Sequence, residues 1–214
     1  MGQVMPTGTS QSAVSKVQRG KLLYRVPENV LDASNMGQFC RWLTSTRGLE
    51  IAKYADVWRW SVEDLEEFWQ ALVDYFKLEL GDYRAVLTHT DLPPGKWFPD
   101  AKLSYPAHIL KHAGDSPAIV GLSQTRARSE LSRDGLRDAV ARCAAGLKRA
   151  NVLPGDVVAA YLPNIPEAVV AMLATASIGA IWVSCAPEFG VKAVVDRLRQ
   201  VEPRVLLAVG GYCF

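Results

Sequence analysis

Cysteine is scarce. The chain has four in 214 residues, at Cys40, Cys143, Cys185 and Cys213. Their gaps are long and irregular and no Cys-x-x-Cys pair occurs. That pattern argues against a structural zinc site, offers no disulfide framework and fits a reducing compartment. An excess of either charge is also missing. Lys plus Arg total 24 against 22 for Asp plus Glu, a net charge of +2, so nothing draws the chain to nucleic acid or to an anionic membrane. No apolar run is long enough to span a bilayer. The longest, AVVAMLATASIGAIWV over residues 168–183, has 16 residues and is broken by Gly179, where roughly 18–20 are needed. The first 30 residues are polar and contain no apolar core of a secretory signal. Neither Gly-x-Gly-x-x-Gly nor Gly-x-x-x-x-Gly-Lys-Ser/Thr is found, and the missing glycine fingerprint counts against a doubly wound nucleotide enzyme such as a dehydrogenase.

What is present is ordinary globular material, 49% hydrophobic and 21% charged. The length suits one domain, or one and part of another. Residues 1–20 are rich in Ser, Thr, Gln and Gly and read as a flexible tail. Residues 21–82 read as helical. Met36, Phe39, Cys40, Trp42 and Leu43 recur at helical spacing, and Gly48 is a stop signal. Ser61 is the predicted cap of a second amphipathic helix whose stripe is Leu65, Phe68, Trp69, Leu72, Val73 and Phe76, ending near Gly81. Residues 83–117 are a connector, with a turn cluster at Asp91-Leu-Pro-Pro-Gly95, an aromatic segment over 97–105 expected to stay extended, and a short helix at 106–113.

From residue 118 the pattern changes. Short apolar runs at 118–120, 157–162, 180–184 and 204–209 alternate with helical patterns at 133–150, 166–177 and 191–200. Such alternation predicts βαβ units on a parallel sheet. Pro166 in the first turn of its helix costs nothing, because its missing N–H would have had no partner.

These segments carry a recognisable wording. Pro154-Gly-Asp-Val-Val-Ala-Ala-Tyr-Leu-Pro-Asn-Ile-Pro-Glu-Ala-Val-Val-Ala-Met-Leu-Ala174 resembles the early part of the acyl-adenylate-forming synthetases. Ser177-Ile-Gly-Ala-Ile-Trp-Val-Ser-Cys-Ala-Pro-Glu-Phe-Gly190 is similar to the acetoacetyl-CoA synthetase branch, which reads SxGAIWSSCSPDFG; acetyl-CoA synthetases usually carry His where this chain has Trp182. Upstream, the segments from Tyr54 to Trp69 and from Trp97 to Tyr105 are similar to the leader motifs of that branch. The resemblance covers about residues 21–214. There are departures from it, among them Asp100 for Gly, Ser104 for Asn, Val183 for Ser and Glu188 for Asp. Residues 126–133 match the usual Thr-Tyr-x-Glu-Leu run poorly.

The resemblance implies an α/β fold: a helical N-terminal region at 21–117, then at 118–214 the first βαβ units of an adenylation domain with an incomplete parallel sheet. It implies a ligase that joins acetoacetate to coenzyme A with ATP and Mg²⁺, through an acyl-adenylate. The 214 residues hold no Ser/Thr-Gly-Thr-Thr-Gly phosphate loop; the nearest string, Pro6-Thr-Gly-Thr-Ser10, precedes every predicted strand. The expectation is therefore an N-terminal fragment, inactive by itself, without tight nucleotide binding, and poorly soluble because a parallel sheet cut short leaves an open edge. A non-catalytic α/β module that binds a ligand or a full-length partner is the competing reading. The DNA beyond the Phe214 codon separates the two.

The loop Ser184-Cys-Ala-Pro-Glu-Phe-Gly190 follows a predicted parallel strand, the position where open α/β sheets bind ligands. By resemblance, Pro187, Glu188 and Phe189 face the coenzyme A tunnel; otherwise Phe189 is a core residue of a turn. Cys185 reads as a small buried residue and not as a nucleophile, because no histidine lies near it in sequence. His108 and His112 stand at i and i+4 without an evident third metal ligand. Arg197, Arg199 and Arg204 form a basic cluster whose default is a solvated face.

Overall fold

The computed structural model describes residues 19–88 and 95–211. Most of the N-terminal tail with its Pro6–Ser10 string, most of the 91–95 turn cluster, and Cys213 lie outside the described residues. The chain divides into two compact units between Tyr75 and Phe76.

The first unit is helical: α1 (Val30–Ala33), α2 (Asn35–Arg47), α3 (Tyr54–Glu63) and α4 (Leu65–Phe76), whose last residue belongs to the second unit. Residues 21–28 are not helical, contrary to the sequence expectation. Ser34 caps α2 by accepting the Gly37 N–H at 3.1 Å, and Gly48 ends it at φ 67°, a left-handed stop that glycine adopts without strain. The break between α3 and α4 also differs from expectation. Ser61 lies inside α3, where its hydroxyl donates to the Trp58 carbonyl at 2.7 Å. The cap of α4 is Asp64, whose carboxylate accepts the Glu67 N–H at 3.3 Å. At its other end α4 stops at Phe76, followed by Lys77 at φ 50°, four residues before Gly81. Phe39, Cys40, Leu43, Val57 and Ala71 form the core. Tyr75 packs edge-on against Phe39 and Trp42, with ring centroids 4.9 and 5.4 Å away. Burial pushes the Cys40 thiol pKa up.

The second unit opens with the connector. Trp97 bridges to Leu87, and the Phe98 N–H donates to the Val86 carbonyl at 2.8 Å. The 97–105 segment is not extended throughout. It bends at 98–101, with Ala101 N–H on the Phe98 carbonyl at 3.0 Å and positive φ at Phe98 (42°) and Asp100 (75°). The left-handed backbone at Asp100 accounts for glycine in the related motif; Asp tolerates it and its carboxylate pairs with Arg84. Helix α5 (Tyr105–Leu110) follows, capped by Ser104 accepting the Ala107 N–H at 3.3 Å. Asn, the related residue there, caps equally well.

A hairpin of β1 (Pro117–Gly121) and β2 (Ser129–Ser132) comes next. Strand β2 was not expected; its four residues, Ser-Glu-Leu-Ser, offer one apolar side chain and no visible period. Gly121 is required by close approach: a Cβ there would lie 2.7 Å from the Ser129 Oγ and 2.8 Å from the Pro166 Cγ. Then α6 (Arg133–Arg149), β3 (Val157–Tyr161), α7 (Pro166–Ser177), β4 (Ile181–Cys185), α8 (Val191–Leu198) and β5 (Val205–Ala208) build a parallel sheet in the order β4-β3-β5.

Side chains alternate across this sheet, as the pleat demands. Val158, Trp182, Val205 and Leu207 meet Leu136, Val140 and Leu147 of α6 and Leu173 and Ala174 of α7. Ala159, Tyr161, Val183 and Cys185 meet Val194 and Leu198 of α8. Burying Leu173, 2% exposed, contributes about 1.5–3 kcal/mol. No helix among the described residues is long and apolar enough to cross a membrane.

Candidate functional site

The topology creates one crevice by necessity. Adjacent strands β3 and β4 send their following helices to opposite faces of the sheet, α7 to one and α8 to the other. Their loops therefore diverge beyond the carboxyl ends of the strands, which is where open α/β sheets bind ligands. A cleft of about 440 Å³ lies there.

Three segments build it. Strand ends supply Ala160, Trp182, Ser184 and Cys185; the β3–α7 loop and α7 supply Leu162, Pro163, Asn164, Ala168, Val169 and Met172; the β4–α8 loop supplies Ala186, Pro187 and Glu188. The walls are mainly apolar. Asn164, Ser184 and Glu188 bring polar groups, and no Lys or Arg is among the lining residues. Such a lining suits a slender, largely uncharged chain and not a polyphosphate.

Of the three residues expected to face coenzyme A, Pro187 and Glu188 line the cleft. Phe189 turns to α8, where the Arg197 guanidinium lies over its ring, 4.6 Å from the centroid. It is 39% exposed, so it is not a core residue either. Residues 186–189 form a turn, with the Phe189 N–H on the Ala186 carbonyl at 3.1 Å. Behind it, the Tyr161 hydroxyl lies 2.8 Å from both the Pro187 and the Phe189 carbonyl oxygens. Sequence reasoning passed over Tyr161 as one more strand residue. Its signal is a hydroxyl at the end of an otherwise apolar strand, beside a loop that needs donors. Val169 and Met172 carry no sign in the sequence beyond an apolar helix, and Trp182 stands out there only as a mark of the branch, yet all three line the cleft.

At the start of α7 the Glu167 carboxylate accepts two hydrogen bonds from Arg126, at 2.6 and 3.3 Å. That hydrogen bonding holds the Glu167 carboxyl below its ordinary range and raises the Arg126 pKa. The carboxylate also meets the positive end of the helix dipole.

The other sequence candidates fall elsewhere. Cys185 is 3% exposed, packed beside Val194 and Leu198 at the cleft floor. His108 and His112 line a separate cavity of about 230 Å³ beside Leu110 and Arg133. The arginine cluster disperses: Arg197 covers Phe189 and Arg204 lies 3.6 Å from Asp156. No group of three or more His, Cys, Asp or Glu that could hold a metal ion occurs among the described residues. Burial raises the Cys143 thiol pKa within α6.

Comparison with known proteins agrees with this layout. The model of the acetyl-coenzyme A synthetase N-terminus matches residues 54–108, and that of the AMP-binding enzyme family matches residues 107–212. The acetoacetyl-coenzyme A synthetase of Rhizobium meliloti is 32% identical over 200 residues, covering 92% of this chain and 31% of that protein. The acetoacetyl-CoA synthetase of Gallus gallus is 35% identical over 184 residues, covering 82% and 27%. The structure of acetoacetyl-CoA synthetase from Streptomyces lividans superposes with a TM-score of 0.81 at 40% identity, covering 88% of this chain and 30% of that one. The chain thus spans about a third of the length of the relatives it matches. Two adjoining family models, the shared fold and the motifs around the cleft place it: the chain belongs to the AMP-binding enzyme family, on the branch of the acetoacetyl-CoA synthetases, and corresponds to their N-terminal part.

Proposed function

We propose that the whole protein is an acid–thiol ligase acting on acetoacetate, and that the cleft beyond β3 and β4 takes the pantetheine arm of coenzyme A. In such a ligase an acetoacetate carboxylate oxygen attacks the α-phosphorus of ATP, and the bond to pyrophosphate breaks. The coenzyme A thiol then attacks the acyl carbon, loses its proton, and AMP leaves. The first step needs backbone N–H groups converging on phosphate and a cation against the developing charge. Within these 214 residues no phosphate-loop string occurs, and among the described residues no group of three or more His, Cys, Asp or Glu is placed to hold a metal ion. We assign these residues no part in the phosphoryl step. Their part is to bind and orient the thiol arm.

One observation carries the assignment: an apolar cleft without Lys or Arg among its lining residues, at the switch point of the sheet. Pantetheine is slender and uncharged, and its amides find partners in Asn164 and Ser184. A small acid and not a macromolecule is the co-substrate. The free thiols of Cys40, Cys143 and Cys185 agree with a cytoplasmic enzyme.

The test is a filled cleft. In the whole ligase, Ala186→Trp raises the KM for coenzyme A about tenfold or more, the equivalent of ~1.4 kcal/mol of binding. Acetoacetate-dependent exchange of pyrophosphate into ATP stays as it was. Unaltered coenzyme A kinetics, or loss of the exchange reaction alone, contradicts the reading.

A further inference from the structure

We propose that Tyr161 is a positioning residue: from the face of the sheet opposite the cleft, its hydroxyl latches the 186–190 loop and so fixes the wall along which the ligand lies. The proposal rests on the coenzyme A reading for the identity of that ligand only.

Residue alternation places Tyr161 on this far face. Ala160 lines the cleft, whereas Ala159 and Tyr161 pack with Cys185, Val194 and Leu198 on the α8 side. Tyr161 is the last residue of β3 and pairs in register with Cys185, the last residue of β4. Its ring therefore stands beside the point where β4 gives way to the loop, and its hydroxyl reaches just past the strand end. A phenol has one proton, and both neighbours at 2.8 Å are carbonyl oxygens, which only accept. The bond is three-centred and draws together two carbonyls two residues apart. With the Ala186–Phe189 turn closed at 3.1 Å and the Phe189 ring under Arg197, the loop is held from behind at three points. Its front, Ala186 to Glu188, is left to shape the cleft. Phenylalanine at 161 keeps the packing and removes the only proton in the latch.

Hydrogen exchange read by mass spectrometry tests this on the 214-residue chain with pantetheine as probe. Tyr161→Phe speeds exchange in the 186–190 segment about three- to tenfold, the range of one lost hydrogen bond. Amides of β3 and β4 are unaffected and the melting temperature stays close to that of the unmodified chain. Pantetheine slows exchange over 181–190 in the unmodified chain, and higher concentrations are needed for the same protection in Tyr161→Phe. Unchanged exchange at 186–190, or a rise spread evenly over the sheet, overturns the latch. A loop loosened by Tyr161→Phe but indifferent to pantetheine in the unmodified chain overturns the coenzyme A reading and leaves the latch standing. If Tyr161→Phe does not fold, Tyr161→Met, which also lacks the hydroxyl, supplies the answer with a rise confined to the same segment; no rise there overturns the proposal.

Discussion

On one face of the parallel sheet, Val158, Trp182 and Leu207 meet two helices, and Leu136, Val140, Leu147 and Leu173 close over them. On the other, Ala159, Val183 and Cys185 meet α8 alone. That helix leaves apolar surface open around it: Val191 is 75% exposed, and Leu206, on the same face of β5, is 54% exposed. Parallel sheets are ordinarily buried on both faces. The first face is where this unit draws its stability. The second is thin, and its main polar feature is the Tyr161 hydroxyl holding the loop that walls the cleft. Because α7 and α8 cross on opposite faces, α7 on the well-packed side supplies one wall of the cleft and the loop that leads to α8 supplies the other.

Paired truncations sharpen this contrast most. Leu173→Ala, on the packed face, destabilises by about 2–5 kcal/mol, through lost burial and the cavity left behind. Val194→Ala, on the thin face, costs about 1.6 kcal/mol, two methyl groups at ~0.8 each, with less surrounding structure to leave a void. Urea denaturation of both variants checks the order, and equal losses would break the comparison. A smaller effect concerns the amino end of α7. Glu167 has a lowered pKa in the folded chain because Arg126 hydrogen-bonds it. Its contribution is present above the unfolded carboxylate pKa and is lost as pH falls through the lower, folded value. Both side chains are more than half exposed, at 53% and 56%, so solvent screens the pair and its effect is small. Stability of Glu167→Gln measured against pH has a shallower acid limb than that of the unmodified chain; an identical limb refutes the assignment.

Legibility in the sequence followed the physics of each element. Helix α7 was readable to the residue, because Pro166 fixes its first turn and Gly179 follows its end. Gly48 was readable for the same reason. The α3–α4 break was misplaced because Ser61 and Asp64 are both competent caps; only the fold decides which of them turns inward on its own helix. Strand β2 was invisible, since its pairing with β1, and not its composition, makes it a strand. The divergence of Phe189 from its neighbours Pro187 and Glu188 depends on Arg197 in α8, and the role of Tyr161 depends on a register with β4. Contacts of that length leave no trace in local pattern. The cleft was legible as a position, the loop after a parallel strand, while its other wall on α7 was hidden among residues that read as core.

A photoreactive pantetheine, activated on the protein and mapped by peptide sequencing, tests the central assignment most directly. The account predicts adducts on residues 162–172 and 182–188, with competition by unmodified pantetheine. Labelling confined to the cavity beside His108 and His112, or scattered without competition, would contradict it.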